Sequence, residues 1–113
     1  HMGAMAVIGA ISPPNFVHVV INNSAHESVG GLPTVAGSMD LTQVARGCGY
    51  KGVFTVNNLR ELEAILVRIK QETGPSFLEV KTAIGSRENL GRPTVTPKEN
   101  KAAFMDYLRN LNN

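Results

Sequence analysis

The strongest constraint on the fold is an apolar, β-branched run that ends abruptly in a polar segment. Residues 16–22 read FVHVVIN, which is the length of one strand. A nearly continuous apolar run of this length is typical of a strand covered on both faces, as in the centre of a parallel sheet. The run therefore predicts a buried, central strand, and it places the polar sequence NNSAHESVGG of residues 22–31 at the end of that strand.

The remaining sequence alternates between helix and strand patterns. Further strands are predicted at residues 53–56 and 76–82. Helices are predicted at residues 2–11, before Pro13-Pro14; at residues 40–48, capped by Ser38 or Asp40; from a cap at Asn57 to Gly74-Pro75, with Leu59, Leu62, Ile65, Leu66 and Ile69 on one face; and from Thr96-Pro97 onward, with Phe104, Tyr107, Leu108 and Leu111 on one face.

This alternation predicts an α/β fold, an open and mostly parallel sheet with flanking helices. Residues 1–113 are expected to form a single domain. The helix at residues 2–11 is apolar all round, which favours a buried position, and it has no strand before it. We therefore expect a fold that is truncated at its N-terminus.

Composition excludes several function classes. Eleven basic and nine acidic residues give a formal charge of +2, too small to indicate a nucleic-acid partner. Cys48 is the one cysteine, so an intrachain disulfide is impossible and a reducing, cytoplasmic setting is expected. The apolar N-terminal run is short and lacks a basic flank, so neither a signal peptide nor a membrane span is predicted.

The polar segment lies where open α/β sheets bind ligands, beyond the carboxyl end of a strand. An asparagine side-chain oxygen and a backbone carbonyl two residues later can converge on one hard cation such as Mg²⁺, and Asn23 and Ala25 have this spacing. Two asparagines before a turn are also common turn formers without any ligand. The spacing alone leaves both interpretations open.

Three stretches together resemble a known family: NNSAHESVGGLPT, the downstream GSRENLGRPTVTPKENKAAF, and HMGAMAVIG at the start. They are similar to the C-terminal, cofactor-binding region of the phosphonopyruvate and sulfopyruvate decarboxylases, which are thiamine diphosphate enzymes. The resemblance implies thiamine diphosphate and Mg²⁺ as cofactors, with the Asn23 side chain and the Ala25 carbonyl as metal ligands. It also implies main-chain donors near His26 and Glu27 for the diphosphate, and His26 as a catalytic contact to substrate.

The sequence departs from the wider family at two places. The aspartate of the Gly-Asp-Gly motif, which opens the family's metal site, would fall before His1. Val29 stands where many related decarboxylases carry a glutamate, six residues after the metal asparagine. Arg87 and Arg92 are candidates for binding a phosphonate or sulfonate, with a structural role for either arginine as the alternative. His18 lies within the apolar run and is interpreted as a sheet-face residue outside the site.

The resemblance implies the C-terminal part of a decarboxylase of 2-oxo acids, most like phosphonopyruvate decarboxylase and inactive by itself. The expected partners are a 2-oxo acid with a phosphonate or sulfonate group, a pyrimidine-binding domain of the same or a partner chain, and further copies in a homo-oligomer. One alternative is the cofactor-binding subunit of sulfopyruvate decarboxylase. Another is an α/β module that assembles with other chains without catalysis.

Overall fold

A computed structural model describes residues 2–111 of the chain. Its helices and strands alternate as the sequence predicts. The helices are α1 (Met2–Ile11), α2 (Leu41–Gly47), α3 (Leu59–Gln71) and α4 (Pro97–Leu111), and the strands are β1 (Val17–Asn22), β2 (Ala25–His26), β3 (Leu32–Pro33), β4 (Gly52–Val56) and β5 (Ser76–Lys81). Two single-turn 3₁₀ helices lie at Glu27–Val29 and Val35–Gly37.

The main sheet is parallel and has the strand order β1-β5-β4. β2 and β3 form a separate antiparallel pair in the loop that follows β1. The predicted α/β class, a parallel sheet with flanking helices, is confirmed. Because the three main strands run the same way, their carboxyl ends share one edge of the sheet, where α/β domains bind ligands.

The prediction that β1 is central and covered on both faces is wrong. β5 occupies the centre of the described sheet, and β1 lies at one edge. Val17, Val19 and Ile21 are exposed, whereas the residues between them are half-buried. The physical reason is that helix α3 packs over β4 and β5, through Val56 and Leu78, and leaves the same face of β1 uncovered.

The core consists of one apolar cluster on each face of the sheet. On one face, Phe77 packs with Met5 of α1, Ala45 of α2 and Tyr50. On the other face, Val56 and Leu78 pack with Ile69 of α3. Both clusters centre on β5, whose alternate side chains point to opposite faces.

Helix α3 forms as predicted, but its cap and its apolar face differ from the prediction. Its cap is Asn58 and not Asn57, because the Asn58 side chain accepts from the Glu61 backbone N–H at 2.9 Å. Leu62, Ile65 and Ile69 pack against the sheet. The outer members of the predicted face, Leu59 and Leu66, are exposed.

Helix α2 begins at Asp40, one of its two predicted caps. The Asp40 carboxylate accepts from the backbone N–H groups of Thr42 and Gln43, both at 3.0 Å, and from the Thr42 hydroxyl at 2.6 Å. These bonds hold the pKa of Asp40 below its ordinary value, and the bond from the Thr42 side chain has the largest effect. The same bonds fix the start of α2 at Asp40.

Helix α1 does not have the buried position that its apolar sequence predicts. Met5 is its one buried residue among those described, and Ile8 and Gly9 are half-buried. Val7 and Ile11 are exposed. The described part of the chain covers one side of α1 and provides nothing to cover the rest. Helix α4 likewise has no buried residue in the described range.

Replacing Gly9 with alanine is expected to push α1 away from the domain. A Cβ at Gly9 would lie 1.6 Å from the backbone oxygen of Cys48, so the helix must move. We expect a loss of about 1–3 kcal/mol in the free energy of unfolding, measured by urea denaturation. Gly3→Ala is the matched control, because a Cβ there meets nothing within 4 Å. Equal stability of the two variants would contradict the close α1 packing.

Candidate functional site

The polar loop after β1 encloses a cleft at the carboxyl edge of the sheet. The cleft has a volume of about 440 Å³. It is lined by the last residues of β1, by the loop up to residue 26, and by residues 33–36. Two backbone bonds fold the loop back on itself: Thr34 N–H donates to the Ser24 carbonyl at 2.9 Å, and Gly31 N–H donates to the His26 carbonyl at 2.9 Å. The cleft lining therefore includes three predicted site residues, Asn23, Ala25 and His26.

Asn23 is held in a fixed orientation by hydrogen bonds at both ends of its amide. Its Oδ1 accepts from the Ala25 backbone N–H at 3.0 Å, and its Nδ2 donates to a carboxylate oxygen of Glu27. Ser24, between the two, has a left-handed backbone with φ of 56°. An amide oxygen has two lone pairs, so Oδ1 retains one for a further partner.

Glu27 connects the loop to a distant part of the chain. Besides its bond to Asn23, its Oε1 accepts from the Gly85 backbone N–H at 2.7 Å. The Glu27 side chain thus bonds within the protein, while the exposed side chain of His26 is part of the cleft lining. Asn23, Ala25, His26 and Glu27, the four predicted site residues, lie together in this loop.

Gly30 and Gly31 are required by the backbone of the turn that follows. Their φ angles are 91° and 76°, in the region that side chains other than glycine rarely adopt. A Cβ at either position would meet no atom within 4 Å, so the requirement comes from backbone conformation and not from space. The glycine pair allows the chain to turn back and place Thr34 beside Ser24.

The structure does not bring the predicted arginines to the cleft. Arg87 and Arg92 are exposed in the segment before α4, and neither lines the cleft. Within residues 2–111, no hydrogen bond or ion pair of either guanidinium is formed. Thr34 does line the cleft, and its Oγ1 is buried without a hydrogen-bond partner among the described residues.

A buried network beside the cleft was missed by the sequence predictions. Glu79, in the central strand β5, accepts from Asn22 Nδ2 at 2.6 Å and from Thr55 Oγ1 at 3.1 Å. Both Glu79 and Asn22 are buried. The sequence indicates this network only through an acid placed between the apolar residues Leu78 and Val80.

His18 agrees with its sequence interpretation as a sheet-face residue outside the site. The His18 Nδ1 lies 2.9 Å from the Tyr50 hydroxyl, and its ring packs edge-on against Phe77 with centroids 5.4 Å apart. Burial raises the pKa of Tyr50, and the nearby Cys48 adds to this effect. Cys48 is half-buried against the core. Neither residue lines the cleft.

The oxygen atoms of the loop suit a hard cation. The Asn23 amide oxygen and the backbone carbonyls beside it are the ligand types that Mg²⁺ prefers. Histidine, cysteine, aspartate and glutamate side chains form no cluster of three within the described range. The donor types in the loop therefore fit magnesium.

An open α/β domain with a polar, glycine-containing loop at the carboxyl edge of its sheet belongs to the class of α/β domains that bind ligands at that edge. The particular family is shown by residues 2–80, which match the family described as thiamine pyrophosphate enzyme, C-terminal TPP binding domain. The chain is a member of this family, so the predicted family is confirmed and thiamine diphosphate is supported as its cofactor. No helix in the described residues is long and apolar enough to cross a membrane.

Curated relatives include decarboxylases of two kinds. The phosphonopyruvate decarboxylase of Streptomyces viridochromogenes is 36% identical over 107 residues, which are 95% of this chain and 27% of that enzyme. The enzyme of the same name from Streptomyces hygroscopicus is 34% identical, over 94% of this chain and 26% of its own length. Sulfopyruvate decarboxylase subunit beta of Methanococcus maripaludis is 31% identical, over 96% of this chain and 58% of its own length. The chain thus spans about a quarter of the first two relatives and more than half of the third.

Proposed function

We propose that the chain is the C-terminal part of a thiamine diphosphate and Mg²⁺ dependent decarboxylase that converts phosphonopyruvate to phosphonoacetaldehyde and carbon dioxide. The observation that carries the cofactor assignment is the loop in which Asn23 Oδ1 is fixed by the Ala25 backbone N–H at 3.0 Å, in a chain of the thiamine pyrophosphate family. The preference for phosphonopyruvate rests on the higher identity, 36% against 31%, to the relatives of that name.

In this proposal the polar loop binds the metal and the diphosphate. Asn23 Oδ1 and the Ala25 carbonyl would hold Mg²⁺, which would neutralise charge on the diphosphate. Main-chain N–H groups near His26 and Glu27 would hold the diphosphate. The role of the Glu27 carboxylate is to fix the loop, through its two bonds to Asn23 and Gly85.

His26 is the proposed contact to the substrate. Its exposed imidazole lines the cleft and can donate or accept a hydrogen bond near neutral pH. Thiamine diphosphate supplies the electron sink for the decarboxylation when it is bound. The residues of this chain position cofactor and substrate, with a pyrimidine-binding domain from the same or a partner chain, in a homo-oligomer. The chain by itself is expected to be inactive.

A second candidate is the cofactor-binding subunit of a sulfopyruvate decarboxylase. The relative of that kind in Methanococcus maripaludis is named subunit beta, and this chain matches 58% of it. Both substrates combine a 2-oxo acid with a tetrahedral anion. Their turnover by one enzyme preparation therefore distinguishes the two candidates.

The proposed function is tested by replacing the matching region of the Streptomyces viridochromogenes enzyme with this chain, a chimera called the graft below. We expect the folded graft to bind thiamine diphosphate only with Mg²⁺, measured by titration calorimetry, and to decarboxylate phosphonopyruvate faster than sulfopyruvate. The isolated chain is expected to show no turnover. Faster turnover of sulfopyruvate would favour the second candidate. A folded graft that binds no cofactor, beside a parent enzyme that does, would overturn the proposal.

A further inference from the structure

We propose that Glu79 is a positioning residue that fixes the metal-ligand loop through Asn22. The proposal rests on the function proposed above, because the ligands whose position it sets are Asn23 and Ala25. Glu79 lies in the central strand and is 4% exposed. It touches neither of these ligands among its hydrogen-bond partners, so its effect is indirect.

The Glu79 carboxylate joins the three strands near their carboxyl ends. It accepts from Asn22 of β1 at 2.6 Å through one oxygen and from Thr55 of β4 at 3.1 Å through the other. Both donors are neutral. A buried carboxylate is costly unless its oxygens are hydrogen-bonded, so the strand ends that supply the donors are held to it.

The bond from Glu79 determines how the Asn22 amide is oriented. With Nδ2 directed at the carboxylate, Oδ1 faces the chain that leaves β1 and accepts from the Ser24 N–H at 2.9 Å and the Ser24 hydroxyl at 3.3 Å. The amide offers donors at one end and an acceptor at the other. The carboxylate reinforces the orientation that captures Ser24, because a flipped amide would place Oδ1 against the Glu79 carboxylate and Nδ2 against the Ser24 N–H.

Ser24 is the residue that transmits this orientation to the metal ligands. Its φ of 56° costs about 1–2 kcal/mol for a residue with a side chain. The bonds to Asn22 stabilise that conformation, and it is the conformation in which the Ala25 N–H reaches Asn23 Oδ1 at 3.0 Å. A continuous series of contacts thus runs from the buried carboxylate to the proposed ligand pair.

The test compares Glu79→Leu, which removes both acceptors, with Glu79→Gln, which retains an acceptor for Asn22. In the graft, we expect Glu79→Leu to raise the Mg²⁺ concentration for half-maximal thiamine diphosphate binding by about tenfold or more. Glu79→Gln is expected to stay within about threefold of the unmodified graft. Thr55→Val is the matched control, because it removes a bond to the same carboxylate and leaves Asn22 bonded. It too is expected to stay within about threefold.

A second measurement does not depend on the cofactor. In the isolated 113-residue chain, nuclear magnetic resonance should show that Glu79→Leu exposes the Ser24 and Ala25 amides to faster hydrogen exchange, while Thr55→Val does not. If Glu79→Leu fails to fold, Asn22→Ala removes the same link and is expected to give the same results.

Unchanged amide protection together with unchanged Mg²⁺ dependence would overturn the role of Glu79. An equal shift in Thr55→Val would also overturn it, since the effect would then be general stability. An unmodified graft that binds no cofactor would instead reject the proposed function, and the exchange experiment would still decide whether Glu79 sets the loop.

Discussion

Asn23→Ala in the graft is expected to weaken Mg²⁺-dependent thiamine diphosphate binding by more than about 100-fold, because the loss of an outer partner of a metal ligand already costs about 10- to 100-fold. The substitution removes the proposed ligand oxygen itself. It also removes the bond to Glu27 and the bond from the Ala25 N–H, so the remaining ligand carbonyl loses its fixed position. Titration calorimetry at several Mg²⁺ concentrations measures the effect.

Asn57→Ala is the matched control for this variant. Asn57 directly follows the parallel strand β4, is exposed, and contributes its backbone N–H to a bond with Glu61. The control is expected to retain binding within about threefold. Asn23→Asp keeps an oxygen at the ligand position but places a second carboxylate beside Glu27, so its affinity is expected to lie between those of Asn23→Ala and the unmodified graft. Wild-type Mg²⁺ dependence in Asn23→Ala would exclude Asn23 as a ligand.

The elements that could be predicted from the sequence are those fixed by neighbouring residues. Pro13-Pro14 follows α1, and Asp40 caps α2 through N–H groups two and three residues away. At the start of α4, the Thr96 N–H and hydroxyl donate to the Glu99 carboxylate. Each interaction spans at most a few residues, so its partners can be found in the sequence itself. The predicted bounds of these helices agree with the structure for this reason.

Burial could not be predicted in the same way, because it depends on which elements meet. β1 presents Val17, Val19 and Ile21 on one side, yet α3 covers the sheet over Val56 and Leu78 and leaves Val19 and Ile21 exposed. An apolar residue shows that burial is favourable, and strand order decides whether a partner is present. The same limit applies to α1, whose uniformly apolar sequence predicts burial but which lacks a covering partner among the described residues.

The same distinction between local and long-range contacts applies to the candidate site. Asn23, Ala25 and Glu27 lie within four residues of one another, so their association could be anticipated from spacing and from the family resemblance. The bond from Gly85 to Glu27 joins residues 58 positions apart, and that from Asn22 to Glu79 joins residues 57 positions apart. No spacing rule predicts such pairs. They follow from the parallel pairing of β1 with β5 and from the path of the chain after β5.

The second large effect is expected at Phe77, where alanine should lower the free energy of unfolding by about 3–5 kcal/mol. Phe77 is 1% exposed and fills the cluster with Met5 and Ala45. Its ring also packs edge-on against His18 and Tyr50, with centroid distances of 5.4 and 5.8 Å. Its removal leaves a cavity and ends both aromatic contacts. Because a domain of this size has a total stability of about 5–15 kcal/mol, urea unfolding followed by circular dichroism should detect the loss.

Val19→Ala is the matched control, and it tests the position of β1 at the same time. Val19 pairs with the centre of β5 but is 48% exposed, so its replacement in the isolated chain is expected to cost less than about 1 kcal/mol. If β1 were covered on both faces, Val19→Ala would instead lower the free energy of unfolding by about as much as the same change at other buried positions. A loss at Val19 as large as that at Phe77, independent of protein concentration, would contradict the edge position of β1. The same loss growing with concentration would mean that a second copy covers this face, because association then contributes to the measured stability.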